Sequence, residues 1–143
     1  MKLTHGLIST AILTLIFMSS HATAAEAKPA KEKLIIQISD ADTVKWNLAL
    51  NNVKNVQQEL GAENVEAEIV VYGPGIGMLK ADSVVGNRVE EAIKANINIV
   101  ACGVTMKSQK LTKDDMLPTI GYVPAGVVEI MKKQKAGYAY IRP

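Results

Sequence analysis

Cys102, the one cysteine in the chain, ends the apolar run Ile97-Asn98-Ile99-Val100-Ala101 and stands just before Gly103. A thiol reacts through its thiolate, which nearby positive charge favours, and Lys107 and Lys110 follow closely in sequence. A thiolate at a strand end could attack a disulfide or a sulfane sulfur, or carry a persulfide, without a histidine partner. The same residue also fits the common fate of a free cysteine, a small buried hydrophobe.

Other residues that could do chemistry have simpler explanations. Gly73-Pro74-Gly75-Ile76-Gly77 follows an apolar run and invites comparison with phosphate-cradling loops, but the glycine spacing breaks at Met78, and no lysine and hydroxyl follow as in a nucleotide loop. A tight turn with exposed backbone amides is expected, able at most to steady a small anion at Gly73 and Gly75. Asp40 and Asp42 follow the first strand and suit helix capping. Asn47, Asn51, Asn52 and Asn55 crowd one helix beside Trp46. Asparagine is a weak helix former, so that density suggests amides bonded to a neighbour at a subunit interface or in a ligand pocket, or else a polar outer face.

The first 24 residues read as a cleavable export signal: Lys2 with no acid, an apolar stretch from Gly6 to Met18, and Ala22-Thr23-Ala24 as the cleavage pattern. Its removal takes away His5, His21 and Phe17 and lowers the formal charge from +2 to +1. A chain without histidine cannot run Ser-His-Asp or Cys-His catalysis and lacks the commonest zinc ligand, so no metal and no cofactor are expected. The scattered charges and aromatics give no nucleic-acid footprint, and no later apolar segment has membrane length, so no stable membrane insertion is expected. The location expected is periplasmic. A lone cysteine there makes no internal disulfide, which leaves packing and subunit association to stabilise the fold.

Residues 25–32 read as a flexible lead-in, and residues 33–143 as one domain. Leu34 to Ile38 is a β-branched strand, and Thr43 to Leu60 carries Val44, Leu48, Ala49, Val53, Val56 and Leu60 at helical spacing before Gly61. Glu66 to Tyr72 is a second strand, and a helix is expected from Asp82 or Ser83 to about Asn96. The cysteine run is the third strand. The chain then loosens through the polar Lys107 to Lys113, and Thr112-Lys113-Asp114-Asp115 resembles a capping arrangement. Ile120 to Val123 is a short fourth strand. Pro124 suits the first position of a helix with Val127, Val128, Ile130 and Met131 as its apolar face and Gly137 at its end, and Tyr138 to Arg142 is the last strand. Strands alternating with crossovers imply an α/β fold, a parallel sheet with helices on both faces.

The segments KLIIQISDADTVKWNLALNNVKNVQQELG, IVVYGPGIGML, VACGVTM and VPAGVVEIMKKQKAGYAYIRP resemble the DsrE/DsrF-like family, in particular its exported single-domain members. The resemblance covers nearly all of residues 33–143. It implies a three-layer α/β/α domain with a five-stranded, mostly parallel sheet, often assembled into trimers or hexamers. It also implies that Cys102 corresponds to the cysteine that carries persulfide in cytoplasmic sulfur-relay relatives. The expected function is therefore binding or relay of sulfane sulfur between a donor and an acceptor protein, at most a sulfur carrier or transferase-like activity. Cys102 would be nucleophile and carrier, amides at Gly103, Gly73 and Gly75 would steady the charged sulfur, and Lys107 would help hold the anion. The alternative is a non-catalytic small-ligand-binding or assembly module in which Cys102 is core packing and the asparagine-rich helix with Trp46 forms a subunit contact.

Overall fold

The computed structural model describes residues 30–143, so the expected export signal and most of the lead-in lie outside the described residues. Five strands and four α-helices alternate: β1 (Glu32–Ile38), α1 (Thr43–Leu60), β2 (Val65–Val71), α2 (Gly86–Lys94), β3 (Asn98–Cys102), α3 (Gly103–Ser108), β4 (Gly121–Val123), α4 (Gly126–Lys135) and β5 (Ala139–Ile141). All four strand pairings are parallel, in the order β4-β3-β2-β1-β5. The expected three-layer α/β/α architecture is present.

That strand order decides how much of the sheet each helix can cover. From β1 through β4 the chain steps in one direction, and right-handed crossovers put α1, α2 and α3 on one face. The step from β4 to β5 returns past β1, so α4 alone lies on the other face. The buried side chains divide accordingly. Leu34, Ile36, Ile69, Val71, Ile99 and Ala101 join the main core beneath α1 and α2, with Trp46, Leu50 and Val53 packed onto them. The opposite face has a small core of Ile35, Val70, Val100, Ile130 and Tyr138. Each fully buried aliphatic side chain stabilises the fold by about 1.5–3 kcal/mol, so most of the stability resides under α1 and α2.

Local chemistry fixes the element ends near the sheet's carboxyl edge. The Asp42 carboxylate accepts from the Val44 N–H at 2.8 Å and caps α1, and Gly61 ends that helix at φ 86°. Gly75 passes so close to β1 that an added Cβ would lie 2.9 Å from the Ile38 carbonyl oxygen. The glycine-rich stretch is a seven-residue 3₁₀ helix from Gly73 to Leu79, a little over two turns, rather than a single tight turn.

Four local expectations need correction. The second helix begins at Gly86, because Lys80 to Gly86 form successive turns with Ser83 N–H on the Lys80 oxygen and Gly86 N–H on the Ser83 oxygen. The chain loosens only after an unexpected helix: α3 starts directly after Cys102, its six residues being too few to display an apolar period, and the turn and coil follow from Gln109 to Thr112. Pro124 precedes the first helical residue by two positions, since its carbonyl accepts the Val104 N–H at 3.1 Å and Ala125 is still extended. The apolar face expected for α4 is mostly on the surface. Ile130 is buried, whereas Val127 and Met131 are each 53% exposed and Val128 is 47% exposed. One narrow stripe suffices to dock α4 because no second helix flanks it on that face.

Candidate functional site

Cys102 is the last residue of β3, on the face that α4 covers, and its carbonyl end leads straight into α3. The Gly126 N–H, at the first turn of α4, donates to its Sγ at 3.2 Å. Glycine eases this approach. An added Cβ at 126 would lie 3.1 Å from Val70 Cγ1 and 3.3 Å from both Cys102 Cβ and Tyr72 Cβ. Gly103 is similarly pinned, with the Pro124 and Val123 carbonyl oxygens 3.2 and 3.3 Å from where its Cβ would be. The β4–α4 turn is thereby clamped over the sulfur.

Thr105 is the second contributor. Its Oγ1 accepts the Gly73 N–H at 2.9 Å, which leaves the hydroxyl proton free to point at the sulfur. Burial pushes the Cys102 thiol up, but the Gly126 N–H, then the Thr105 N–H and hydroxyl, with a minor contribution from the Val104 N–H, outweigh it and hold the thiol below its ordinary range. The Val104 N–H acts least because it is committed to the Pro124 carbonyl. Oriented amide dipoles, rather than a lysine, favour the thiolate.

The residues expected around the sulfur are therefore distributed differently from the expectation. Gly73 acts at one remove, through Thr105. The Gly75 N–H is spent on the Ser39 and Tyr72 carbonyls, both at 3.2 Å, so it has nothing to offer an anion. Lys107 is exposed on α3 and lines a cleft of about 570 Å³ with Gly103, Leu111, Lys113, Val123 and Pro124. Cys102 does not line that cleft and is itself 5% exposed, so the thiol is not open to solvent at the rim of the sheet. Gly126 and Thr105 escaped the sequence reading. The glycine following Pro124-Ala125 was the available signal for the first, and nothing in Val104-Thr105-Met106 marked the second.

The asparagine-rich helix also finds its partner within the chain. The Arg88 guanidinium of α2 donates to the side-chain oxygens of Asn47 and Asn51, the latter at 2.7 Å. Trp46 is buried in the main core, where its Nε1 donates to the Asp40 carbonyl at 2.7 Å, so it is no surface contact. The Asp40 carboxylate bonds to Lys45 at 2.9 Å and faces Arg142 at 3.7 Å, and these cations hold it below the usual carboxylate range.

A second polar group lies under the far end of α4. The Glu68 side chain is 3% exposed, and its Oε2 meets Lys133 Nζ at 3.0 Å and Asn98 Nδ2 at 2.6 Å, while Oε1 has no partner. Burial alone would pull the Lys133 ammonium down. The Glu68 carboxylate, followed by Tyr138, outweighs it and holds the ammonium above its usual range. Tyr138 donates to Glu66, and the Lys133 and Lys33 ammonium groups stand 4.8 and 5.6 Å from its ring centre. Among the described residues, no group of three or more histidine, cysteine, aspartate or glutamate side chains is placed to hold a metal ion, and no helix is long and apolar enough to cross a membrane.

Residues 17–143 match the DsrE/DsrF-like family. Among solved structures, the chain is similar to a protein of unknown function, MTH1491, from Methanobacterium thermoautotrophicum, at 31% identity and a TM-score of 0.75, over 79% of this chain and 100% of that one. It also shares its fold with a protein of unknown function, BT1422, from Bacteroides thetaiotaomicron, at 15% identity and a TM-score of 0.64, over 78% of this chain and 95% of that one. No functionally curated protein matches it.

Proposed function

Because the chain belongs to the DsrE/DsrF-like family, we propose that it binds sulfane sulfur as a persulfide on Cys102 and passes it to an acceptor. The observation that carries this reading is the Gly126 N–H held 3.2 Å from the sulfur at a position where an added Cβ would be in tight contact with Val70, Cys102 and Tyr72. A buried thiol serving only as packing needs no such donor, and burial alone would disfavour its ionised form. Here the opposite balance holds.

The chemistry needs no cofactor. The Cys102 thiolate attacks the outer sulfur of a donor such as thiosulfate, a new Sγ–S bond forms, and the donor S–S bond breaks with its electron pair leaving on sulfite. The persulfide anion takes the place of the thiolate against the Gly126 amide. An acceptor thiolate then attacks the outer sulfur, and Cys102 leaves as thiolate. The electron count closes in both halves without an external oxidant.

Two further expectations belong to this proposal. Export and a periplasmic location rest on the signal-like residues 1–24. Self-association rests on the exposed apolar flank of α4, Val127, Val128 and Met131, which a second copy of the chain would cover.

The rival reading, a binding or assembly module with an inert cysteine, draws on the 5% exposure of Cys102. One experiment separates them. The chain, incubated with polysulfide or thiosulfate, is weighed intact and after reductive treatment, with Cys102→Ser alongside. A reducible gain of one sulfur on the native chain alone supports relay. A native thiol that neither gains sulfur nor reacts with iodoacetamide establishes the module.

A further inference from the structure

Seven residues separate Gly126 from Lys133 in α4, a rise of about 10.5 Å at 1.5 Å per residue. Glu68 pairs with Asn98 across the sheet, four residues before Cys102, which places the carboxylate about 13 Å from the thiol along the strands at about 3.3 Å per residue. The helix therefore runs antiparallel to the strands and touches the sheet at three levels. Gly126 packs at the sulfur, Ile130 packs in the middle with Ile35 and Val70, and Lys133 closes the far end on Glu68. The Pro124 carbonyl on the Val104 N–H holds the chain entering the helix, but Ile130 alone does not define the axial position of the helix beyond it, because it could slide against the aliphatic surface of Ile35 and Val70 with little change in burial. A buried ion pair with a hydrogen-bonded carboxylate is directional and does define it.

We infer that the Lys133–Glu68 pair sets where α4 sits along the sheet and thereby holds the Gly126 amide against Cys102, making both residues positioning residues for the sulfur centre. This rests on the sulfur reading only for its purpose. The geometry it describes is tested on the bare thiol.

The charges on this face give the test its sign. Facing the pair are Lys33 of β1 and Glu66 of β2, with Tyr138 from the segment entering β5, while Tyr72, just after β2, faces the thiol end. If Glu68 and Lys133 acted on the sulfur through their charges, Glu68→Gln would favour the thiolate and Lys133→Met would disfavour it. If they act by position, both substitutions withdraw the Gly126 amide and both disfavour the thiolate.

The pH profile of iodoacetamide alkylation at Cys102 is measured for the native chain, Glu68→Gln, Lys133→Met and Lys133→Arg, with circular dichroism to check folding. The result expected is a profile moved to higher pH and alkylation slowed about threefold or more at neutral pH in both Glu68→Gln and Lys133→Met, with Lys133→Arg close to native. Unmoved profiles, or profiles moving in opposite directions, overturn the inference. So does loss of the whole fold in both variants, which would make the pair a general fold determinant. Because no sulfur donor is present, the outcome stands whether or not polysulfide loads the native thiol.

Discussion

The Gly126 N–H reaches the Cys102 sulfur at 3.2 Å at a point where a methyl group would be crowded against Val70, Cys102 and Tyr72. The donor comes from α4, the only helix on its face of the sheet among the described residues, and the acceptor from the end of β3. Strand order, glycine placement and thiol chemistry thus meet in one contact.

Gly126→Ala puts a methyl group against Val70, Cys102 and Tyr72 and lifts the start of α4. A stability loss of about 1–3 kcal/mol is expected from the overpacking. Alkylation of Cys102 at neutral pH should slow several-fold, since the largest favourable contact to the thiolate is withdrawn. Urea unfolding and iodoacetamide kinetics on one preparation measure both, and unchanged kinetics in a folded variant would remove the amide from the account.

Thr105→Val keeps the shape but deletes the hydroxyl between Gly73 and the sulfur. The Gly73 N–H loses its acceptor, for about 1 kcal/mol. The thiol becomes less ionised at a given pH, while Thr105→Ser should behave as native. Comparing the alkylation pH profiles of the two variants checks this.

The native thiol titrates below its ordinary range, so it binds its proton less tightly in the folded chain than in the unfolded one, where the pKa is about 8.5. Stability relative to Cys102→Ser should therefore rise with pH from the native thiol's pKa up to about 8.5, hold its full value above that, and vanish as pH falls through the native value. Urea unfolding under reducing conditions between about pH 6 and about pH 9.5 reads the difference. A difference that shrinks with rising pH would mean that burial, not the amides, prevails at the sulfur.

Val127→Lys combined with Met131→Lys places two charges on the exposed flank of α4. The monomer fold should be nearly indifferent, within about 0.5 kcal/mol for surface substitutions. Sedimentation velocity should show the native chain as an oligomer and the double variant shifted toward monomer. A native chain that sediments as a monomer would leave that surface uncovered in solution.

Elements governed by local chemistry were legible in the sequence. The capping carboxylate of Asp42 and the closing Gly61 act within a few residues, so α1 is found with the expected ends, but its buried stripe is Trp46, Ala49, Leu50 and Val53, while Val44, Leu48 and Leu60 of the expected stripe are exposed. The parallel α/β architecture followed from alternation alone. The short α3 and the outward flank of α4 did not, because a six-residue helix has no period to read, and whether Val127 and Met131 are covered depends on how many crossovers share that face. The same applies to the site. Cys102 was conspicuous as the only thiol, but Gly126 and Thr105 are made relevant by the return step from β4 to β5 and by the packing of α3 on Gly73.

The two sides of the sheet carry very unequal cores, and the thiol lies under the smaller one. Free energies of local opening scale with what must be uncovered, so α4 should detach as a separate cooperative unit while the layer of α1 and α2 stays intact. Its amides should exchange with solvent deuterium well before those of β1 and β2.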